Sequence, residues 1–164
     1  MISLRAGRDD DAAEIIALIT ACWAEYPGCV MEVDGEVPEL RALATYYAQH
    51  GGALWVAEGQ GRVVGMVATR PLEGGAWELC KMYTAATVRG TGLAQSLITT
   101  AETHAGTSGA TTMKLWTDTR FHRAHRFYEK NLYTRSGPDR VLHDLSHTTE
   151  FAYAKPLRGQ SSEA

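Results

Sequence analysis

Cysteine is scarce in this chain: three residues in 164, namely Cys22, Cys29 and Cys80, odd in number and with no Cys-x-x-Cys pair. A disulfide framework and a zinc ribbon are thereby excluded, and a reducing compartment is expected. Positive charge is not in excess either. Sixteen Lys and Arg stand against 19 Asp and Glu, a formal net charge of -3, so there is no global field to draw in nucleic acid or an anionic membrane surface. No apolar run approaches membrane-spanning length, and the opening MISLRAGRDDDAAE has no apolar signal region. These absences predict a cytoplasmic protein. Repeats, low-complexity linkers and a second domain are missing as well.

What is present is enough apolar sequence, 45% of residues, for one domain to bury a core without covalent staples. The reading places that domain at 1–157, followed by a polar tail at 158–164 expected to be mobile. ISLRAG is a candidate first strand. DDDAAEIIALITACWAEY reads as a helix, with Asp11 and Glu14 at capping-box spacing and Ala12, Ile15, Ile16, Ile19 and Trp23 on one face. Pro38 can open a second helix. ALWVAE, RVVGMVATR and AWELCKMYTA, separated by GQG and PLEGG, read as three antiparallel strands. A glycine turn follows, then a helix through Ala94, Leu97, Ile98, Ala101 and Ala105. TTMKLWTD is a strand, RFHRAHRFYEKN a helix with Phe121, Ala124, Phe127 and Tyr128 inward, and LYTRSG and TTEFAYAKPL are the last strands. The expected class is α/β of the α+β type: a mixed, largely antiparallel sheet of six to seven strands with helices on both faces.

The turn TVRGTGLA lies where a strand gives way to a helix. Unpaired N–H groups at a helix start, with the positive end of the helix dipole, attract phosphate oxygens, and glycine lets a ligand approach the main chain closely. Arg89 can add a charge-assisted contact. A Walker-type nucleotide site is excluded because no Lys follows Gly92. A dinucleotide fingerprint is excluded because Gln95 stands after Ala94 where the third glycine belongs, and the preceding strand ends an antiparallel run. The pyrophosphate of coenzyme A is what remains.

The stretch ELCKMYTAATVRGTGLAQSLITTAE resembles the acetyl-CoA-binding motif of the GNAT family of N-acetyltransferases, whose (Arg/Gln)-x-x-Gly-x-(Gly/Ala) core matches Arg89, Gly92 and Ala94. KLWTDTRFHRAHRFYEKNLY is similar to the family's second motif, with Ala124 and Tyr128 in A-x-x-x-Y spacing. Two positions depart: Phe121 stands where the family often has Asn, and Leu132 where it often has Gly, leaving Asn131 as the candidate for a left-handed turn.

The resemblance implies an acyl-CoA N-acyltransferase-like fold and an acetyl-CoA-dependent N-acetyltransferase that moves acetyl directly onto a primary amine. It implies that Met82 N–H steadies the oxyanion, and that Met82, Tyr83 and Thr84 pair with the pantetheine arm. The amides of Arg89, Gly90, Thr91, Gly92, Leu93 and Ala94 would hold the pyrophosphate. Tyr128 becomes the general acid and Glu78 a candidate base, each with a plainer reading as core aromatic or solvated carboxylate. The acceptor is a small-molecule or protein amine, and a homodimer is compatible with the family. A catalytically silent acyl-CoA-binding module is the alternative. Glu32, Asp34 and Glu36 read as a polar loop, and Arg120, Arg123 and Arg126 as a solvated helix face. Cys80 reads as packing. His122, His125, His143 and His147 fit no recognised metal spacing, so no metal is expected.

Overall fold

The computed structural model describes residues 1–157; the predicted tail at 158–164 lies outside the described residues. Strand β1 (Ile2–Ala6) leads into α1 (Ala12–Trp23), a one-turn α2 (Val33–Glu36), and α3 (Leu43–Gln49), which is entered through a 3₁₀ segment at Pro38–Ala42. Strands β2 (Ala53–Gly59), β3 (Arg62–Pro71) and β4 (Ala76–Thr84) follow, then α4 (Leu93–Thr107), β5 (Thr112–Asp118) and α5 (His122–Lys130). The chain closes with β6 (Thr134–Arg135), β7 (Arg140–Val141) and β8 (Thr149–Pro156).

One sheet runs β1-β2-β3-β4-β5-β8-β6, with β7 also paired to β8. Among the described residues it has eight strands, against the six to seven expected. The additional β7 is two residues long, too short to leave an alternating pattern in the sequence. Every pairing is antiparallel except β4 with β5. Alternating residues of the strands feed two cores. Leu54, Val56, Met66 and Ala68 pack with Ile15, Leu18 and Ile19 of α1 and with Leu43 and Tyr47 of α3. Ala57, Val67, Met113 and Leu115 pack with Leu97, Ile98 and Ala101 of α4 and Tyr128 of α5. Period-2 strands thus serve helices on both faces. At Gly65 a Cβ would lie 2.9 Å from Leu93 Cδ2, so the missing side chain lets the first turn of α4 settle onto β3.

Two local expectations are corrected. Asp11 and Glu14 form no capping box: Asp11 turns inward to the Arg5 guanidinium, Nη1 at 2.9 Å and Nη2 at 2.8 Å, and accepts the Arg8 N–H at 2.8 Å. Glu14 instead accepts the Val63 N–H at 3.2 Å. A bidentate charged partner outcompetes a single helix amide for the carboxylate. The second correction is at the end of α5, where Leu132, not Asn131, is left-handed, with φ 73°. The Leu132 N–H donates to the Glu129 carbonyl and the Tyr133 N–H to the Tyr128 carbonyl, both at 3.0 Å, which is a Schellman closure. The Leu132 side chain is largely in solvent, so nothing offsets its backbone strain. Leu132→Gly is expected to stabilise the protein by about 1 kcal/mol, read as a higher urea midpoint at unchanged m-value.

Candidate active site

The site begins where two neighbouring strands part. Parallel pairing of β4 with β5 covers only Ala76–Glu78 against Thr112–Lys114. Beyond Glu78 the β5-facing edge of β4 has no strand beside it, so its peptide groups open into a cleft. On its other edge β4 bulges: Cys80 faces Ala68 and Tyr83 faces Met66, so Lys81 and Met82 together oppose Val67. Lys81 takes φ 52°, a left-handed conformation unusual for a long side chain. Such a bulge re-aims the main chain locally. The cleft has a volume of about 930 Å³ and runs from the glycine turn at one end, past Met82 and Tyr128, to Arg70, Glu78 and Trp116 at the other.

At the turn, Gly90 has φ 81° and Gly92, which caps α4, has φ 87°. A Cβ at either would meet nothing within 4 Å, so the space in front of the turn is open. The first bond of the α4 ladder runs from Ser96 N–H to the Gly92 carbonyl at 3.1 Å, which leaves the amides of Leu93, Ala94 and Gln95 ahead of it. Gly90 and Gly92 N–H find no partner among the described residues, whereas the amides of Arg89 and Thr91 are engaged by Ala86 and Val88 within the turn, at 3.3 and 3.4 Å. Of the six amides expected to face a ligand, four are therefore free to do so. The Arg89 side chain also differs from expectation. It grips Glu25, just beyond α1, with Nη1–Oε1 at 3.1 Å and Nη2–Oε2 at 2.6 Å, and Arg123 joins the same carboxylate at 3.4 Å. Hydrogen bonding from Arg89 first, and from Arg123 after it, holds the Glu25 carboxyl below the usual carboxylate range although partial burial works against this.

Tyr128, 7% exposed, packs edge-on to Tyr133 at 6.0 Å. Its hydroxyl makes no hydrogen bond to any described residue, and no fully buried polar atom lacks a partner, so the hydroxyl reaches the cleft. Burial, with Tyr83 and Cys80 nearby, raises its pKa well above that of an ordinary phenol. Tyr83 lines the same cleft and accepts the Trp23 indole N–H at 3.1 Å. Thr84 offers its carbonyl to the Cys22 thiol at 3.4 Å. Glu78 also lines the cleft, but Arg70 holds it, with Nε at 3.0 Å and Nη2 at 2.8 Å from the same oxygen. Burial pushes the Cys80 thiol up to about 12, in keeping with packing and against a nucleophile. Phe121 packs at a tilt against Tyr26 with centroids 4.8 Å apart, an apolar contact where the resemblance leads one to expect an amide.

The remaining candidates lie elsewhere. Glu32 accepts its own loop's Gly35 N–H, Asp34 pairs with Arg41, and Glu36 accepts the Leu145 N–H; none lines the cleft. Arg120 is held by Asp118. His125 is buried, its Nε2 2.9 Å from the Asp118 carbonyl, so α5 points this residue inward as well as the aromatics. No group of three or more metal-ligating side chains occurs among the described residues, and no described helix is long and apolar enough to cross a membrane. Sequence reasoning missed Glu25 and Lys81. Glu25 lies 64 positions from Arg89 and carries no local signature; Lys81 is distinguished only by the bulge.

Comparison with known proteins identifies the family and the fold. Residues 14–132 match the Acetyltransferase (GNAT) family, and the chain belongs to it. A relative from Escherichia coli (strain K12), the uncharacterized N-acetyltransferase YjgM, is 43% identical over 63 residues, which cover 37% of this chain and 38% of that protein. An acetyltransferase of the GNAT family from Staphylococcus aureus Mu50 superposes with a TM-score of 0.83 at 19% identity, over 96% of this chain and 100% of that one. YncA from Salmonella typhimurium, a putative acetyltransferase solved with its cofactor acetyl-CoA, gives 0.74 at 15% identity, over 99% and 98%.

Proposed function

We propose that the protein transfers the acetyl group of acetyl-CoA directly to a primary amine in a ternary complex. The observation that carries this reading is the join of three features in one cleft: the unpaired β4 edge, the open glycine turn at its mouth, and the partnerless Tyr128 hydroxyl in its wall. Free amides at Gly90, Gly92, Leu93 and Ala94 would receive the pyrophosphate, and the edge from Met82 to Thr84 would accept the pantetheine arm as an added strand. The amine nitrogen attacks the thioester carbonyl carbon while Met82 N–H donates to the oxygen on which charge develops, a contact worth about 3–4 kcal/mol in comparable sites. Breaking the C–S bond then requires a proton on sulfur, which Tyr128 O–H supplies. The amine's own proton leaves by way of water to Glu78, which Arg70 holds in place.

The test is thiol release from acetyl-CoA across a panel of amines. Release with at least one amine is expected; binding of acetyl-CoA without release from any amine would instead indicate a silent module. The two arginines at the turn supply a second check. Because Glu25 already occupies Arg89 and Arg123, a phosphate must compete with it for them. Glu25→Gln is expected to tighten coenzyme A binding about 3- to 5-fold by calorimetry, the scale of a half-exposed ion pair. An unchanged or weaker affinity would leave the Arg89–Glu25 pair a purely structural tie.

A further inference from the structure

The far end of the cleft, beyond Met82, is where an amine must sit, and its charges are unevenly satisfied. Three carboxylates line the cleft: Glu78, Asp118 and Glu150. Each is held by an arginine. Arg70 lies 2.8 Å from Glu78, Arg120 2.8 Å from Asp118, and Arg140 2.7 Å from Glu150. No carboxylate on this wall is therefore left to attract a second positive charge. Among the described residues two cleft-lining cations lack a close carboxylate: Lys130, whose neighbour Asn131 accepts from Gln95 in the first turn of α4 and so belongs to the glycine-turn end, and Lys81 at this end. Lys81 lines the cleft, and its Nζ has Glu39 at 3.8 Å as its ion-pair partner, well outside hydrogen-bond distance. Lys81 also adopts the left-handed conformation on the bulge, and it directly precedes Met82 in the chain. Left-handed non-glycine residues cluster at functional sites, and Lys81, unlike the solvent-exposed Leu132, lies in the cleft.

Resting on the acetyl-transfer reading above, we propose that the acceptor is an α-amino acid, an amine with a carboxylate on the same carbon, and that Lys81 selects it by taking that carboxylate. In an α-amino acid the nitrogen and the carboxylate carbon are two bonds apart. The cation that holds the carboxylate must accordingly belong to the same cleft as the reacting centre, and Lys81 lines that cleft together with Met82. Polyamines and other polycationic acceptors are disfavoured by the same wall, because their additional charges would face Lys81 and three carboxylates already neutralised.

The experiment compares kcat/KM for pairs that differ only in the carboxylate: phenylalanine with phenethylamine, methionine with 3-(methylthio)propylamine, and spermidine as the polycation. The wild type is expected to prefer the amino acid of a reactive pair by about 10- to 100-fold, the range of a charged hydrogen bond. Lys81→Met should collapse that ratio to within about 3-fold, while Lys81→Arg retains most of it. Equal or faster turnover of the decarboxylated amine or of spermidine overturns the proposal, as does a ratio unmoved by Lys81→Met. Calorimetric titration of the coenzyme A-loaded protein with the same pairs decides the matter without turnover. Heat from an amino acid and not from its amine supports carboxylate selection even where no thiol is released; absence of any amino-acid heat overturns it. Failure of every amine to release thiol counts against acetyl transfer alone.

Discussion

Tyr128→Phe is expected to lower kcat for acetyl transfer about 100-fold or more while coenzyme A affinity stays within about 2-fold. The substitution removes one oxygen that hydrogen-bonds to no described residue, and the ring keeps its packing against Tyr133 and Tyr153. Thermal stability should therefore hardly move, which separates a lost proton donor from a damaged core. The pH profile sharpens the test. A general acid must be protonated to act, and burial raises the Tyr128 pKa above that of an ordinary phenol. Activity that depends on it is present below that raised value and lost only as pH climbs through it, so the wild type should show no alkaline decline from this group below about pH 10. An undiminished kcat in Tyr128→Phe would return the residue to the role of a core aromatic.

Much of this arrangement was legible in the sequence because it is local. The Arg89–Ala94 turn sits between a strand and a helix that each carry their own period, and the A-x-x-x-Y spacing puts Ala124 and Tyr128 on one side of a single helix. The antiparallel order of β2, β3 and β4 followed from the turns GQG and PLEGG for the same reason. The parts that were not legible depend on partners distant in the chain. Asp11 reads as a helix cap in the sequence, but Arg5 claims it, and Arg89 reads as a free phosphate ligand, but Glu25 pairs with it. Burial of His125 has no local signal either, since it depends on the Asp118 carbonyl that partners its ring. At Leu132 propensity points to the wrong residue, Asn131, for the left-handed turn. The Schellman bonds at the end of α5 fix which residue must turn left-handed, and the sequence filled that position with a side chain that dislikes it. Lys81 shows the same limit inside the site, since a bulge arises from a mismatch between two strands and belongs to neither alone.

The second large effect is expected from Gly92→Val, and it rests on a paired comparison with Gly109→Val at the opposite end of the same helix. Gly92 has φ 87° and Gly109 has φ 101°, and a Cβ at either position would meet nothing within 4 Å. Both substitutions thus impose left-handed strain without a clash, and each should cost about 1–2 kcal/mol of stability, read from denaturant midpoints. Only Gly92 stands before the free amides at the start of α4. There a branched side chain occupies the space a diphosphate needs, and relief of the strain turns those amides away from it. Acetyl-CoA affinity is expected to fall about 100-fold in Gly92→Val and to stay within about 2-fold in Gly109→Val. Equal losses of affinity in the two variants would mean that helix stability governs binding and that the turn grips nothing. A selective loss at Gly92 with matched stabilities would tie the phosphate to the amides of this turn.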